Sequence, residues 1–202
     1  MLERFRAFWT KVISPAARLF LKLGISPDVV TLVGTLGVCA GALVFFPTGH
    51  LLIGVLVITA FIFSDMVDGH MARLSGQSSA WGAFLDSTLD RVADAAIFGG
   101  LVLYYIGPGD SEPLAALALY CLTMGSLTSY ARARAESLGM QAKGGIAERA
   151  DRLVAILVMT GFAGIFDFPP LVAVALAVLA VASTITVVQR ILLVRSQAKA
   201  TV

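Results

Sequence analysis

The chain has 202 residues, of which 58% are hydrophobic and 14% are charged, and its formal net charge is +2. Soluble domains carry about 25% charged residues, so this composition excludes a soluble cytosolic enzyme, a disordered chain and a secreted disulfide scaffold. The small net charge gives no indication of nucleic-acid binding. Both cysteines, Cys39 and Cys121, lie in apolar runs and are expected to be small buried side chains. The composition therefore predicts an integral membrane protein.

The first 24 residues predict an amphipathic helix that does not span the membrane. Apolar residues recur at helical spacing from Leu2 to Leu23. Basic residues fill much of the opposite face: Arg4, Arg6, Lys11, Arg18 and Lys22. This pattern is typical of a helix that lies in the membrane interface, and Gly24 is expected to end it. We therefore predict two units, a juxtamembrane helix over 1–24 and a transmembrane domain over 25–202.

The remaining sequence has room for about six spanning helices, because each needs ~20 apolar residues. A serine cap followed by a proline, Ser26 and Pro27, predicts the start of the first span. The predicted spans cover about 27–46, 51–74, 82–106, 113–138, 147–165 and 169–194. The predicted fold class is all-α integral membrane, with six transmembrane helices preceded by an amphipathic interfacial N-terminal helix.

The basic residues indicate the orientation of these spans. All 15 of them lie in the N-terminal segment, around 73–91, around 132–152, or from Arg190 onward. The alternate connections contain no Lys or Arg: 47–50, 107–112 and 166–168. Because cytoplasmic connections carry the excess of Lys and Arg, both termini are predicted to lie in the cytoplasm.

Five aspartates interrupt the second and third predicted spans: Asp65, Asp68, Asp86, Asp90 and Asp94. Each would cost roughly 2.5–3.5 kcal/mol at a bilayer centre, which makes a functional site the first hypothesis. The first two are three residues apart and the next two are four apart, so each pair shares a helix face. A short connection would bring the two pairs together. Clustered carboxylates need cations, and their oxygens suit Mg²⁺, Mn²⁺ or Ca²⁺.

The pattern Asp65-x2-Asp68-Gly69-x2-Ala72-Arg73-x8-Gly82-x3-Asp86-x3-Asp90 resembles the signature of the CDP-alcohol phosphotransferase family. Members of that family displace CMP from a CDP-linked lipid or alcohol with an alcohol hydroxyl. The resemblance implies that Asp65, Asp68 and Asp86 bind Mg²⁺, with Mn²⁺ as the alternative. It implies that Asp90 is a metal ligand, the general base, or both. The expected CDP-lipid-binding residues are Gly69, Ala72, Arg73, Gly82 and Thr31.

A basic cluster at the predicted cytoplasmic ends of the last three spans indicates a phosphorylated acceptor, since a neutral alcohol would not need so many cations. Within the family, the stretches SYARARAESLG, ERADRL and VVQR resemble the phosphatidylinositol-phosphate synthases of actinobacteria. That resemblance implies CDP-diacylglycerol as donor, inositol 1-phosphate as acceptor and the bacterial plasma membrane as location. It implies that the acceptor phosphate is held by Arg132, Arg134, Arg152 and Arg190. For Lys143 and Arg149 the same role and a purely topological role stay equally open.

Other functions stay open at this stage. Glycerol-3-phosphate also carries a phosphate, which would make the enzyme a phosphatidylglycerol-phosphate synthase. Carboxylates inside a membrane also line ion paths, so a cation transporter is a less favoured alternative, and a structural scaffold is a third. Asp94 is expected to play a supporting role and His70 a packing role. Family resemblance alone implies a homodimer.

Overall fold

The computed structural model describes residues 14–76 and 79–200, except for the side chains of residues 64–66. In these ranges all regular secondary structure is helical. Helix α1 covers 14–22; the part of the predicted amphipathic helix before residue 14 lies outside the described residues. Six longer helices follow: α2 (Pro27–Phe45), α3 (Leu51–Ser75), α4 (Ala80–Ile106), α5 (Glu112–Ser137), α6 (Arg149–Phe166) and α7 (Pro170–Ala200).

The predicted spans match these six helices to within two residues at every end but one. The exception is α7, which was expected to stop near 194 and continues to Ala200. Hydropathy locates the end of an apolar stretch, whereas this helix is extended by a tertiary contact. The Gln141 N–H donates to Gln197 Oε1 at 2.9 Å, and Gln197 Nε2 donates to Gln141 O at 2.6 Å. The last turns of α7 therefore bind the connection between α5 and α6.

Four of the helices, α2, α3, α5 and α7, are long and apolar enough to cross a membrane. The other two long helices differ from them by their charge. The charged residues of α4 are Asp86, Asp90, Arg91 and Asp94, and those of α6 are Arg149, Asp151 and Arg152. In both helices the remainder, 95–106 and 153–166, carries no charge. Their charge is thus confined to the N-terminal side of each helix.

Capping serines and turn glycines explain several of the helix ends. Ser26 and Ser79 cap α2 and α4, since their side chains accept from the N–H groups of Val29 and Gly82 at 3.4 and 3.0 Å. Gly24 after α1 has a φ of +74°, in the left-handed region that favours glycine. The predicted stop at Gly24 and start at Ser26 are therefore confirmed.

Close packing of α2 with α3 and α4 forms one side of the bundle, and α5 packs with α4 and α7 on the other. Two glycines make the first contacts possible. A Cβ at Gly41 would lie 2.9 Å from Ile58 Cγ1, and a Cβ at Gly100 would lie 2.7 Å from Ala42 O. Such contacts are too short for any side chain, so these glycines serve helix packing.

Helix α1 is fastened to α3 by a small second core. Ala17 and Met71 are fully buried there. A hydrogen bond of 2.9 Å joins Ser14 Oγ to His70 Nε2, which agrees with the packing role expected for His70. Through these contacts the N-terminal helix supports the end of α3 that carries the aspartate signature.

Candidate active site

An open cleft of about 360 Å³ lies between the N-terminal ends of α2 and α4 and the C-terminal end of α3. Its walls contain seven residues predicted for the site: Thr31, Asp68, Gly69, Ala72, Arg73, Gly82 and Asp86. Four further residues complete the lining: Pro27, Asp28, Ser79 and Ala83. The predicted convergence of the two aspartate-bearing helices is therefore present in the structure. The roles of the individual residues stay predictions.

The two glycines of the cleft are not required by the packing of the protein itself. A Cβ at Gly69 would come no closer than 3.7 Å, to Arg73 Nη1, and a Cβ at Gly82 no closer than 3.5 Å, to Ser79 Oγ. Both are ordinary van der Waals distances. Because the protein leaves room there, the missing side chains keep space open towards the cleft, where a ligand could approach the backbone.

Carboxylate groups reach this region from two helices. Asp68 is 5% exposed, Asp86 is exposed and Asp90 is half-buried one turn further along α4. Among the side chains that the structure describes, no three from His, Cys, Asp and Glu are grouped closely enough to hold a metal ion. Asp65 lies outside that set. The donor chemistry fits a hard divalent cation, because Asp68 and Asp86 offer carboxylate oxygens to one cleft.

Next to the cleft, Asp90 belongs to an ion-pair network that was not predicted. Arg149 Nη1 lies 2.8 Å from Asp90 Oδ1, and Arg149 Nε lies 3.0 Å from Asp94 Oδ1. Arg91 Nη2 is 3.3 Å from Asp94 Oδ2, and Arg91 Nη1 donates to Ser129 Oγ. The supporting role expected for Asp94 agrees with this position. Arg91 was missed, although its place between two aspartates was a signal.

A polar contact at the mouth of the cleft was also missed. Trp81 Nε1 donates to Asp28 Oδ2 at 3.0 Å, which joins the start of α4 to the start of α2. On the same wall, Thr31 Oγ1 donates to Pro27 O at 3.1 Å. Since that bond uses the hydroxyl hydrogen, the oxygen of Thr31 is left with acceptor capacity.

Two of the four arginines predicted to hold the acceptor phosphate are buried. Arg152 is 2% exposed, and it donates to Ala147 O at 2.9 Å and to Gly125 O at 3.4 Å. Arg190 is 4% exposed, and it donates to Gly144 O at 3.1 Å and to Thr128 O at 2.5 Å. Their guanidinium groups therefore bind main-chain carbonyls of α5 and of the connection between α5 and α6.

The other two arginines of that set are exposed. Arg132 Nε lies 3.0 Å from Glu136 Oε1, and Arg134 Nη1 donates to Ser137 Oγ at 3.3 Å. Lys143 is exposed as well, on the connection between α5 and α6. The structure thus separates the predicted set into two internal and two external arginines. Phosphate binding stays a prediction for all four.

Sequence comparisons find a matching family and similar proteins. A family model for CDP-alcohol phosphatidyltransferase matches residues 24–188. A phosphatidylinositol phosphate synthase of Streptomyces avermitilis is 52% identical over 98% of this chain and 84% of its own. The protein of the same name from Cutibacterium acnes is 52% identical over 96% of this chain and 98% of its own.

Solved structures resemble the whole bundle. The crystal structure of Mycobacterium tuberculosis phosphatidylinositol phosphate synthase with CDP-DAG bound has a TM-score of 0.87 and 42% identity. The alignment covers 91% of this chain and 94% of that one. A structure of the same M. tuberculosis protein in complex with manganese and citrate has a TM-score of 0.84 at 43% identity, covering 90% of this chain and 88% of that one.

Proposed function

Because the chain belongs to the CDP-alcohol phosphatidyltransferase family, we propose that it transfers the phosphatidyl group of CDP-diacylglycerol to inositol 1-phosphate. The products are phosphatidylinositol phosphate and CMP. The observation that carries the proposal is the cleft between α2, α3 and α4, where the signature residues of two helices face one space. The relatives that are 52% identical over nearly the whole chain are named for this product.

The donor would bind in the cleft through its diphosphate. Arg73 offers a guanidinium that suits phosphate oxygens, and the two cleft glycines leave space beside the backbone. Asp65, Asp68, Asp86 and Asp90 would hold Mg²⁺ or Mn²⁺. Such a cation supplies charge stabilisation for the phosphoryl group and for the leaving CMP. The manganese complex of the M. tuberculosis enzyme supports this choice of metal.

The transfer itself is a displacement at the phosphatidyl phosphorus. The acceptor hydroxyl oxygen forms a new P–O bond to that phosphorus, and the P–O bond to CMP breaks so that CMP leaves with the electron pair. Asp90 takes the proton of the hydroxyl as general base. The chain contributes mainly by holding donor and acceptor in line in a charged, shaped site.

The four arginines predicted for the acceptor, Arg132, Arg134, Arg152 and Arg190, would have two different roles in binding it. The exposed pair, Arg132 and Arg134, would meet the phosphate from solution. The buried pair would keep the surrounding main chain in place through its carbonyl bonds. Glycerol-3-phosphate carries the same charged group, so an experiment has to distinguish it from inositol 1-phosphate as the acceptor.

We propose that all six long helices span the plasma membrane and that α1 lies in the interface. Helix α4 has 27 residues and α6 has 18, about 40 and 27 Å at 1.5 Å per residue. Their charged residues lie on the same side as the basic helix ends around 73–91 and 132–152, which supports a cytoplasmic location for the cleft and both termini. A homodimer is part of the proposal by family resemblance.

An acceptor panel tests the function. Purified protein with CDP-diacylglycerol and Mg²⁺ is offered inositol 1-phosphate, inositol, glycerol-3-phosphate or serine, and CMP release and the lipid product are measured. We expect product with inositol 1-phosphate alone, its loss with EDTA and its recovery with Mg²⁺ or Mn²⁺. Product with glycerol-3-phosphate alone would overturn the acceptor assignment. Mg²⁺ uptake into liposomes without any CMP release would overturn the enzyme assignment.

A further inference from the structure

Helices α4 and α6 are joined by a side chain that crosses from one to the other. In the described part of the chain, α6 packs against α3 and α7, whereas α4 packs against α2 and α5. Arg149, the first residue of α6, reaches across to two aspartates of α4. One of them, Asp90, is the base of the proposed reaction, so the connection bears directly on the site.

The geometry of this connection restricts the guanidinium of Arg149. Its Nε lies 3.0 Å from Asp94 Oδ1, its Nη1 lies 2.8 Å from Asp90 Oδ1 and its Nη2 donates to Asp90 O at 3.4 Å. The donors of a guanidinium stand in one plane at fixed angles. When Asp94 holds Nε, the direction in which Nη1 meets the Asp90 carboxylate is therefore set as well.

Of the two aspartates that contact Arg149, Asp94 is held more firmly. It is 6% exposed, and its second oxygen lies 3.3 Å from Nη2 of Arg91, which in turn donates to Ser129 on α5. Because each of its oxygens contacts a different guanidinium group, this buried carboxylate is restricted from two directions. Asp90 is less buried, with 21% of its side chain exposed, and stands one turn closer to the cleft.

We propose that Asp94 and Arg149 are positioning residues for Asp90. Asp94 fixes the guanidinium of Arg149, and Arg149 sets the place of the Asp90 carboxylate while competing with a divalent cation for its oxygens. The proposal rests on the proposed function, in which Asp90 binds metal and accepts the proton. It predicts opposite effects when Arg149 is removed: the cation binds more tightly and turnover becomes slower. A variant that merely lost structure would bind the cation more weakly and also turn over more slowly.

The first test measures Mn²⁺ binding to the purified protein by electron paramagnetic resonance. Arg149→Gln is expected to lower the Mn²⁺ dissociation constant about five- to tenfold, because a neighbouring cation and competitor is removed. Asp94→Asn releases Arg149 but also removes a neighbouring negative charge, so it should change the constant by less than about twofold, alone or beside Arg149→Gln. Arg195→Gln removes the same charge from an exposed residue of α7, so it is the matched control and should leave the constant unchanged.

The second test measures turnover in the same variants. Arg149→Gln should lower kcat by about tenfold or more while the KM for CDP-diacylglycerol stays within about twofold. Arg149→Lys keeps the charge but cannot bridge both aspartates, so it should recover part of kcat. Asp94→Asn should lower kcat about tenfold on its own and have almost no further effect beside Arg149→Gln. Size-exclusion profiles and thermal unfolding verify that each variant is folded, and Arg149→Met, which also removes the charge, replaces Arg149→Gln if the latter is not.

The outcomes separate the two proposals. If no acceptor gives CMP release with the unchanged protein, the proposed function fails. The Mn²⁺ dissociation constants would still show whether Arg149 competes with the cation for Asp90. If the enzyme is active but Arg149→Gln weakens Mn²⁺ binding or leaves it unchanged, the positioning pair is overturned and the function stands. Additive effects of Asp94→Asn and Arg149→Gln on kcat would likewise overturn it.

Discussion

Charged residues are placed differently in two regions of the molecule. One region is the cleft between α2, α3 and α4, and the other is formed by the adjoining ends of α5, α6 and α7. In the cleft, Arg73 and Asp86 are exposed beside glycines that leave free space. At the other ends, Arg152 and Arg190 point inward and bind main-chain carbonyls. The first region leaves its charge open to the cleft, and in the second the two buried arginines hold the backbone.

On the proposed function, the two regions would bind the two substrates in different ways. A donor lipid carries a diphosphate and brings its own large binding surface, so an open cleft with small residues suits it. A small phosphorylated acceptor needs a rigid frame, because positioning contributes much of the rate. The Asp90–Arg149 contact lies where the two regions meet.

The largest expected effect concerns the cleft. Asp68→Asn removes the charge of a buried carboxylate that lines it, so the site would lose one of its proposed cation ligands without a change in shape. We expect CMP release to fall by about 10³-fold, with an unchanged thermal unfolding midpoint. Asp110→Asn, on the exposed connection between α4 and α5, is the control and should retain activity. Retained activity in Asp68→Asn would mean that the cleft is not the reaction site.

The next largest effect concerns the stability of the protein, which the buried arginines of the predicted acceptor set should support more than the exposed ones. Arg152→Gln leaves the carbonyls of Ala147 and Gly125 without their guanidinium donors. Gly125 O keeps Ser129 Oγ as a donor at 3.3 Å, so the main loss is at Ala147 O. At about 1–3 kcal/mol for a buried group that loses its partner, we expect a loss of roughly 1–3 kcal/mol in unfolding free energy and a lower unfolding midpoint in detergent.

Arg132→Gln is the matched variant for this test. Its partner Glu136 is exposed, so the stability should change by less than about 1 kcal/mol. The KM for inositol 1-phosphate should instead rise about tenfold, since a charged hydrogen bond to phosphate is lost. If Arg152→Gln kept full stability and raised only this KM, the separation into internal and external arginines would be wrong.

The cleft could be predicted from the sequence because helix geometry is local. Residues three and four apart share a face, which groups Asp68 with Ala72 and Gly82 with Asp86, and the short connection between α3 and α4 predicted that the two faces meet. The helix ends followed from local signals as well, such as Ser26 and Gly24. The six-residue extension of α7 did not, because it depends on a contact with a distant part of the chain.

The arginine contacts could not be predicted, because they depend on which carbonyls the fold leaves open. Arg149 and Arg152 are three residues apart on one helix, yet one binds aspartates of α4 and the other binds Gly125 O and Ala147 O. Gly125 is visible in the sequence, but nothing there links it to Arg152. In the structure, a Cβ at Gly125 would lie 3.2 Å from Arg152 Nε. Only the tertiary structure shows that this glycine makes room for a guanidinium.

Glycine variants sharpen the contrast between cleft and core. Gly69→Ala adds a methyl group where the protein has room. Since alanine favours a helix interior by about 0.5–1 kcal/mol over glycine, stability should rise slightly while the KM for CDP-diacylglycerol increases about tenfold. Gly100→Ala would force a contact of 2.7 Å with Ala42 O and should lower the unfolding midpoint instead. A Gly69→Ala protein with unchanged donor kinetics would show that the donor does not approach this backbone.

The smallest expected effect concerns the mouth of the cleft. Trp81→Phe keeps an aromatic ring near Phe84, whose ring centroid lies 5.9 Å from that of Trp81, but removes the N–H that Asp28 accepts. An exposed bond of this kind contributes about 0.5–1 kcal/mol, so the KM for CDP-diacylglycerol should rise about two- to fivefold with kcat unchanged. Asp28→Asn keeps an acceptor oxygen and should have a smaller effect. A loss of kcat in Trp81→Phe would extend the reacting region to the start of α4, and the cleft would then be more than a donor site.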